Sequence, residues 1–336
     1  MKPSLISKIV IFLCILSLIV GFFCIDKDTI YGVAKDEAKT KKIVSATNKI
    51  AVMELEGTIA ASYESSLFGT EVSAPALLKL LKSAKTDNTI KGIIIKINSP
   101  GGTVAMSQNI YNQIMETRKY KPVIAVFDDV AASGGYYIAA ATDRIIAQSG
   151  TLTGSIGVIM SFMDYHQLLS DKLNINSVVI KSGKFKDMGS GTRPITEEEK
   201  ALMQNIINDS YSQFIDAITI GRVNRNDKYS VKKRALSKDV LRAYADGRIF
   251  TGRQAEKLGF VDAIGGMDVA QKMIERMAQE KFNNKLAAKL VDYRAKSYFA
   301  EYLSAFSEYG AKNTLKLTDF VPHSMILSRR PLYLWE

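Results

Sequence analysis

The sequence predicts an α/β protein with a largely parallel β-sheet covered by helices, preceded by one N-terminal transmembrane helix. Two observations lead to this fold class. From residue 49 onward, short β-branched segments alternate with longer segments of helical periodicity, a pattern typical of βαβ units. Before residue 49, residues 9–25 form an almost entirely apolar run. We therefore expect a folded body that is held at a membrane.

The apolar run reads IVIFLCILSLIVGFFCI and has the length of a short membrane-spanning helix. Lys2 and Lys8 precede the run, and an Asp-Lys-Asp segment at 26–28 follows it. The positive-inside rule therefore places residues 1–8 in the cytoplasm and the remainder of the chain on the outer side of the membrane.

Residues 26–48 are polar and lysine-rich, and they are predicted to form a tether. A signal peptide cleaved after Ala34 is the alternative to an anchor, but the charges just before that position disfavour it. A lipid anchor on Cys24 is also disfavoured, because Phe22 and Phe23 stand where small residues are needed. A single-pass anchor is the preferred interpretation.

The composition excludes several kinds of site. The 336 residues include only two cysteines, Cys14 and Cys24, and both lie in the apolar run, so the body cannot contain a disulfide framework, a zinc-thiolate site or a cysteine nucleophile. The two histidines, His166 and His323, are too few for a transition-metal cluster. No nucleic-acid motif accompanies the net charge of +11. We expect an anionic lipid surface as the partner of that charge, with no metal, cofactor or nucleic acid.

The elements of the body follow in chain order. The predicted strands are residues 50–59, 90–97, 123–127, 144–147 and 177–181. The predicted helices are residues 76–84, 104–118, 134–141 and 196–221, the last of which begins with a capping box at Thr196. Residues 222–245 are basic and helical in pattern, and residues 246–266 add a strand, a helix and a turn. These elements predict a domain at 49–266 and a helical extension and tail at 267–336, with the helix continuing to about residue 309.

Two glycine-containing segments mark a possible catalytic centre. AASGGYY at 131–137 places Ser133 where a strand meets a helix, and NSPGG at 98–102 ends a second buried strand in the same way. Backbone N–H groups at such junctions carry partial positive charge and stabilise anions. We hypothesise that the N–H groups of Gly102 and Gly134 form an oxyanion hole. An ordinary N-cap serine followed by packing glycines is the alternative.

A serine nucleophile needs a base. His166 lies in an amphipathic stretch and His323 in an irregular tail, so a Ser-His-Asp triad is disfavoured. Lysine is the known substitute. SGKFKD at 182–187 follows a predicted strand, and the neighbouring cations Lys181, Lys184 and Arg193 are expected to favour a neutral amine. A solvated surface loop is the alternative for this segment, and a simple turn is the alternative for TLTGSIG at 151–157.

Together these segments resemble the signal peptide peptidase A (protease IV) family of membrane serine peptidases, whose fold is shared with ClpP and crotonase. The matching segments, in family order over residues 50–266, are NSPGG, AASGGYY, TLTGSIGV, SGKFKD and ADGRIFTGRQAEKLG. The resemblance implies a ClpP/crotonase-like βαβ spiral. It also implies the roles of five residues: Ser133 as nucleophile, Lys186 as general base, Ser155 as the residue that orients Lys186, and Gly102 and Gly134 as the oxyanion hole.

Lys186 matches the family lysine because it directly precedes Asp187, which stands at the family's Asp/Ser position. A slip of two residues to Lys184 stays open. The resemblance further implies cleavage of signal-peptide remnants and other apolar peptides at the outer face of the cytoplasmic membrane. It implies a homo-octamer in which serine and lysine come from adjacent protomers, and it implies no cofactor. A crotonase-like acyl-CoA enzyme and an inactive membrane scaffold are the alternatives. The tail, which ends in apolar residues 332–335, is either a self-substrate or a helix cap.

Overall fold

A computed structural model describes the folded body of the chain. The described residues are 48–61, 73–224, 229–230, 234–283 and 288–293. The predicted anchor at 9–25, the tether and the tail beyond residue 293 lie outside these ranges. Within the described ranges, no helix is both long and apolar enough to cross a bilayer.

The body alternates strands and helices. The strands are β1 (Lys49–Glu56), β2 (Ile90–Ser99), β3 (Val123–Ala132), β4 (Arg144–Ala147), β5 (Leu152–Gly154), β6 (Ile249–Thr251), β7 (Ala263–Ile264) and β8 (Lys289–Asp292). The α-helices are α1 (Ala74–Thr86), α2 (Val104–Thr117), α3 (Gly134–Ala140), α4 (Glu197–Ile218), α5 (Lys238–Tyr244), α6 (Gly252–Leu258) and α7 (Met267–Phe282). Two π-helical turns lie at Leu168–Lys172 and Thr219–Val223.

The strands form one sheet in the order β6-β5-β3-β2-β1-β8, and β4 pairs with both β3 and β7. All pairs are parallel except β5–β6. Strand β3 changes its neighbour along its length, because residues 124–127 pair with β4 and residues 130–132 pair with β5. The C-terminal end of β3 therefore lies between β2 and β5, and the loops that follow these three strands meet there.

Helices cover both faces of the sheet, so the central strands are apolar along nearly their whole length. On one face, Leu77 and Leu81 of α1 belong to the core cluster that contains Ile95 of β2. On the other face, α7 packs against β2, and a Cβ at Gly92 would lie 2.7 Å from the Ile274 Cγ1 atom. This glycine lets the helix approach the strand closely.

Most of the predicted elements are confirmed. Strands β1 to β4, helices α1 to α4 and the capping box at Thr196 are present, although β1 ends at Glu56 rather than at residue 59. Strand β3 extends five residues further than expected, to Ala132. The predicted strand, helix and turn at 246–266 correspond to β6, α6 and β7.

Other expectations are wrong. Residues 177–181 are not a strand: Val178 and Ile180 are 85% and 97% exposed, and no strand among the described residues pairs with them. Strand propensity alone cannot form a strand without a partner to pair with. Of the described residues in 224–245, only α5 is an α-helix. Helix α7 ends at Phe282 rather than near residue 309, and strands β5 and β8 were not expected.

Candidate active site

Ser133 lies on a strained turn between β3 and α3. Its backbone angles are φ 51° and ψ −117°, outside the regions that L-residues prefer. The Ser133 N–H donates to the Gly154 carbonyl at 2.9 Å, and the Ser133 carbonyl accepts from the Tyr137 N–H at 2.8 Å. The turn is thus held on both sides, and the serine side chain is only partly buried. Strained backbone of this kind concentrates at functional sites.

The loop after β2 lies directly against this turn. The Ile59 N–H donates to the Gly101 carbonyl at 2.9 Å, and the Thr103 N–H donates to the Ile59 carbonyl at 2.7 Å. On the inner side, the Gly101 N–H donates to the buried Ser99 Oγ at 3.1 Å. These three hydrogen bonds leave the intervening Gly102 N–H directed away from residue 59.

The two backbone segments approach so closely that only glycine fits. A Cβ at Gly101, which has φ +111°, would lie 2.8 Å from both the Gly134 nitrogen and the Ser133 Cβ. A Cβ at Gly134 would lie 3.2 Å from the Gly102 nitrogen. Among the described residues, neither the Gly102 nor the Gly134 N–H donates to a backbone acceptor. The geometry therefore places two free N–H donors beside the serine, which is the arrangement that an oxyanion requires.

Ser155 follows strand β5, which lies next to the Ser133 turn. The β3–β5 register pairs Ala132 with Gly154, so residues 133 and 155 follow at the same end of two neighbouring strands. Ser155 has φ 49°, and its N–H donates to the Arg248 carbonyl at 2.8 Å. The fold brings Ser133, Ser155 and the two glycines together from three separate segments.

Lys186 lies elsewhere, in the exposed first part of a loop at residues 182–193. Its backbone N–H donates to the Gly183 carbonyl at 3.2 Å, and its side chain is exposed. No hydrogen bond joins Lys186 to Ser133 within this chain, both residues being among those described. The structure therefore does not bring the expected base to the expected nucleophile in one protomer.

The expectation that like charges surround Lys186 is wrong. Each neighbouring cation has a carboxylate partner: Lys181 Nζ contacts Asp187 Oδ1 at 2.6 Å, Lys184 pairs with Glu198, and Arg193 binds both Asp187 and Glu199. Arg193 and Lys181 hold the pKa of the Asp187 carboxyl well below its usual range. Because these charges are paired, they cannot supply a net positive field at Lys186.

His166 contacts Asp164 rather than the serine. Its Nδ1 lies 2.5 Å from Asp164 Oδ1, and this hydrogen bond lowers the pKa of the Asp164 carboxyl. His323 lies outside the described residues. In the part of the chain that the structure describes, no group of three or more His, Cys, Asp or Glu side chains could hold a metal ion.

A long segment between the two halves of the site was missed by the sequence reasoning. Residues 157–181, which we call the arm, expose large apolar side chains, among them Ile159 at 91%, Met163 at 78% and Ile180 at 97%. Large apolar side chains with this degree of exposure are uncommon on a free protein surface. The β-branched run at 177–181 was the available signal, but it was interpreted as a strand of the sheet.

Comparison with known proteins shows the family. The model of peptidase family S49 matches residues 115–281, and the Clp protease model matches residues 50–149. A putative protease of Methanocaldococcus jannaschii is 38% identical over 201 residues, which cover 60% of this chain and 60% of that protein. A putative protease of Synechocystis is 38% identical over 234 residues, covering 70% of this chain and 76% of that protein.

A putative signal peptide peptidase SppA of Enterococcus faecium is 35% identical over 253 residues, which cover 75% of this chain and 69% of that protein. The match to peptidase family S49 spans both the serine turn and the loop with Lys186. Fold, sequence and relatives therefore agree: the chain belongs to peptidase family S49 and is a serine peptidase with a Clp-protease-like α/β fold.

Proposed function

We propose that the protein is a membrane-anchored serine endopeptidase that cleaves signal-peptide remnants and other apolar peptides at the outer face of the cytoplasmic membrane. The observation that carries the proposal is the strained Ser133 turn beside the free N–H groups of Gly102 and Gly134. In the proposed mechanism Ser133 is the nucleophile and Lys186 the general base.

The reaction follows from these roles. Lys186 Nζ takes the Ser133 proton while Oγ attacks the peptide carbonyl, and the two N–H groups stabilise the oxyanion. When the tetrahedral intermediate collapses, the protonated Lys186 gives its proton to the leaving amine. Lys186 then deprotonates a water that attacks the acyl-enzyme ester; the bond from the acyl carbon to Ser133 Oγ breaks, and the protonated Lys186 returns the proton to Oγ. Ser155 donates to or accepts from Lys186 Nζ and so holds it in line.

The base comes from a neighbouring protomer in this proposal, within a homo-octamer. Two observations support a shared site: Lys186 is exposed and does not contact Ser133, and the adjoining arm exposes apolar side chains that another subunit could cover. Desolvation of an amine at a subunit boundary disfavours its ammonium form. This effect replaces the like charges that the sequence led us to expect around Lys186.

The proposed organisation keeps residues 9–25 as the anchor, 26–48 as the tether and 49–266 as the catalytic domain. The extension at 267–336 begins with α7 and β8, and β8 pairs with β1 at the edge of the same sheet. An anchor would hold the enzyme where apolar peptides and anionic lipid headgroups gather. The similarity to the Enterococcus relative, which is named a putative signal peptide peptidase, supports this substrate class.

The test uses full-length protein in detergent micelles and an apolar signal-peptide-like substrate. We expect Ser133→Ala and Lys186→Ala each to lower kcat by roughly 10⁴-fold or more. Lys184→Ala is the matched control, because it removes a lysine two positions away that pairs with Glu198. Full activity of Ser133→Ala or Lys186→Ala would refute the dyad. Loss of activity in Lys184→Ala, with Lys186→Ala unaffected, would show that Lys184 is the base.

Mixing the variants tests the shared site. Ser133→Ala and Lys186→Ala subunits that are dissociated and reassembled together should regain activity, since some sites then combine an intact serine with an intact lysine. Absence of any recovery in mixed oligomers, or a fully active monomer in light scattering, would contradict a site built from two protomers.

A further inference from the structure

One arginine joins the Lys186 loop to the body of the protein. Arg193 Nε and Nη2 donate to Asp187 Oδ2 and Oδ1 at 2.9 and 2.7 Å. Arg193 Nη1 and Nη2 donate to Glu199 Oε2 and Oε1 at 3.0 and 2.5 Å. Both carboxylates are therefore bound in the two-pronged geometry that only arginine provides. We call these three residues the Arg193 clamp.

The two carboxylates of the clamp are buried, although the first part of the loop, up to Lys186, is exposed. The side chains of Asp187 and Glu199 are 8% and 2% exposed, whereas that of Arg193 is 30% exposed. Exposed single ion pairs contribute little to stability, but a planar, mutually hydrogen-bonded group of three charges restricts geometry strongly.

The clamp is also attached to a rigid element. Glu199 is the third residue of the 22-residue helix α4, and its Oε2 accepts from the Thr196 N–H at 2.9 Å in the capping box. A side chain that already caps a long helix has little freedom of its own. Through Arg193, this fixed carboxylate determines where Asp187 lies.

Asp187 directly follows Lys186, so its orientation sets that of its neighbour. The Asp187 carboxylate is directed inward to Arg193, while the Lys186 side chain is exposed. Lys181 and Lys184 are engaged by Asp187 and Glu198, which leaves Lys186 as the loop lysine without an ion pair among the described residues. The clamp thus fixes the residue directly after Lys186, while the Lys186 side chain stays exposed and unpaired among the described residues.

We infer that Arg193 is a positioning residue for the general base: with Asp187 and Glu199 it holds the 182–193 loop so that Lys186 reaches a serine on the neighbouring subunit. This inference rests on the proposed function of Lys186. Catalytic groups must be held to within a fraction of an ångström, and a misplacement of about 1 Å costs on the order of 100-fold in rate.

Charge and geometry predict different effects for two substitutions of Arg193. The ionisable side chains on the loop and on the segments packed against it are Asp164, Tyr165, His166, Lys181, Lys184, Lys186, Asp187, Arg193, Glu197, Glu198, Glu199 and Lys200. Arg193→Gln removes the cation between two carboxylates, so the ammonium form of Lys186 becomes more favourable. Arg193→Lys keeps the charge but loses the two-pronged geometry.

The experiment measures kcat, KM and their pH profiles for the full-length protein in detergent with the apolar peptide substrate. We expect Arg193→Gln to lower kcat about 100-fold with little change in KM, and to move the ascending limb of the kcat profile to higher pH. We expect Arg193→Lys to restore the position of the limb but not kcat. Lys200→Gln is the matched control, because Lys200 pairs only with the exposed Glu197 at 2.6 Å, and its kcat should stay within about twofold.

Several results would overturn the inference. Wild-type kcat in Arg193→Gln, or a lower kcat with an unmoved limb and a reduced melting temperature, would leave Arg193 with a structural role at most. If Arg193→Gln does not fold, Glu199→Gln is the deciding variant, since the glutamine amide oxygen can still accept from the Thr196 N–H. In Glu199→Gln, kcat should fall and the ascending limb of the kcat profile should move to lower pH. An unchanged kcat in this variant would refute the positioning role of Arg193. Activity retained in Lys186→Ala would instead show that the proposed base is wrong, which separates the two failures.

Discussion

Substitution of Gly101 by alanine tests the oxyanion-hole geometry without touching a reacting group. Gly101 has φ +111°, and an added Cβ would lie 2.8 Å from the Gly134 nitrogen, 2.8 Å from the Ser133 Cβ and 3.1 Å from the Ala132 carbonyl oxygen. Two of these three atoms are backbone, so they cannot move aside by a simple rotation. The loop and the serine turn must separate.

The magnitude follows from two contributions. A side chain at positive φ costs about 1–2 kcal/mol, and overpacking a well-packed interior costs about 1–3 kcal/mol. We therefore expect Gly101→Ala to lower the free energy of unfolding by about 2–5 kcal/mol. Separation of the two segments also moves the adjacent Gly102 N–H away from the oxyanion, and loss of one such donor lowers kcat by about 10²–10³-fold.

The assay combines urea unfolding with kcat for an apolar peptide substrate. Gly57→Ala is the control, because Gly57 also has a positive φ, +73°, but nothing lies within 4 Å of its Cβ position. The control should lose about 1–2 kcal/mol of stability and keep its kcat. A Gly101→Ala enzyme with wild-type kcat, or one no less active than Gly57→Ala, would refute the assignment of this loop to the oxyanion hole.

Three further predictions concern stability, each measured by urea unfolding. Asp262→Ala removes the carboxylate that lies 2.9 Å from the fully buried Arg222, and it should lower the free energy of unfolding by about 3–5 kcal/mol. As a control, Asp246→Ala removes an exposed carboxylate beside Arg248 and should lower it by under about 1 kcal/mol. Equal losses in the two variants would contradict this prediction. Ser99→Ala deprives the buried Gly101 N–H of its acceptor and should cost about 1–3 kcal/mol, so a neutral result would argue against the bond. Arg193 lowers the pKa of Glu199 to about 2, so this ion pair stabilises the fold above the unfolded pKa near 4 and loses that effect as the pH falls towards 2. The stability difference between wild type and Arg193→Gln should therefore be largest at about pH 7 and shrink as the pH falls towards 2, and a difference independent of pH would contradict this.

The regular part of the fold could be predicted from local pattern. The buried strands β2 and β3 are short apolar runs rich in β-branched residues and bounded by turn residues, and the helices α1 and α2 follow the helical period. The capping box at Thr196 is equally local, because both of its hydrogen bonds lie within four residues. Strand β5 was missed because three residues carry no periodicity, and it exists only through its pairing with β3.

Part of the candidate site could also be predicted from local sequence, and part could not. Glycines and serines in NSPGG and AASGGYY could be recognised in the sequence, since a close backbone approach requires those residue types. The sequence shows three cations near Lys186, namely Lys181, Lys184 and Arg193, but it does not show which carboxylate each of them contacts. Their effect on the Lys186 ammonium depends on pairing with Asp187, Glu198 and Glu199. The sequence reasoning therefore placed like charges around Lys186, whereas the structure pairs them.

By itself, the sequence determined the α/β class, the absence of cysteine from the body and the serine and lysine motifs, because these depend on composition and on patterns a few residues long. Only the tertiary structure decided that Ser133 occupies a strained turn, that Gly101, Gly102 and Gly134 approach closely beside it, and that Lys186 lies apart with an exposed side chain. The physical reason is that strain, hydrogen-bond direction and ion pairing depend on atoms brought together from distant segments. Those contacts exist only once the strands have found their register.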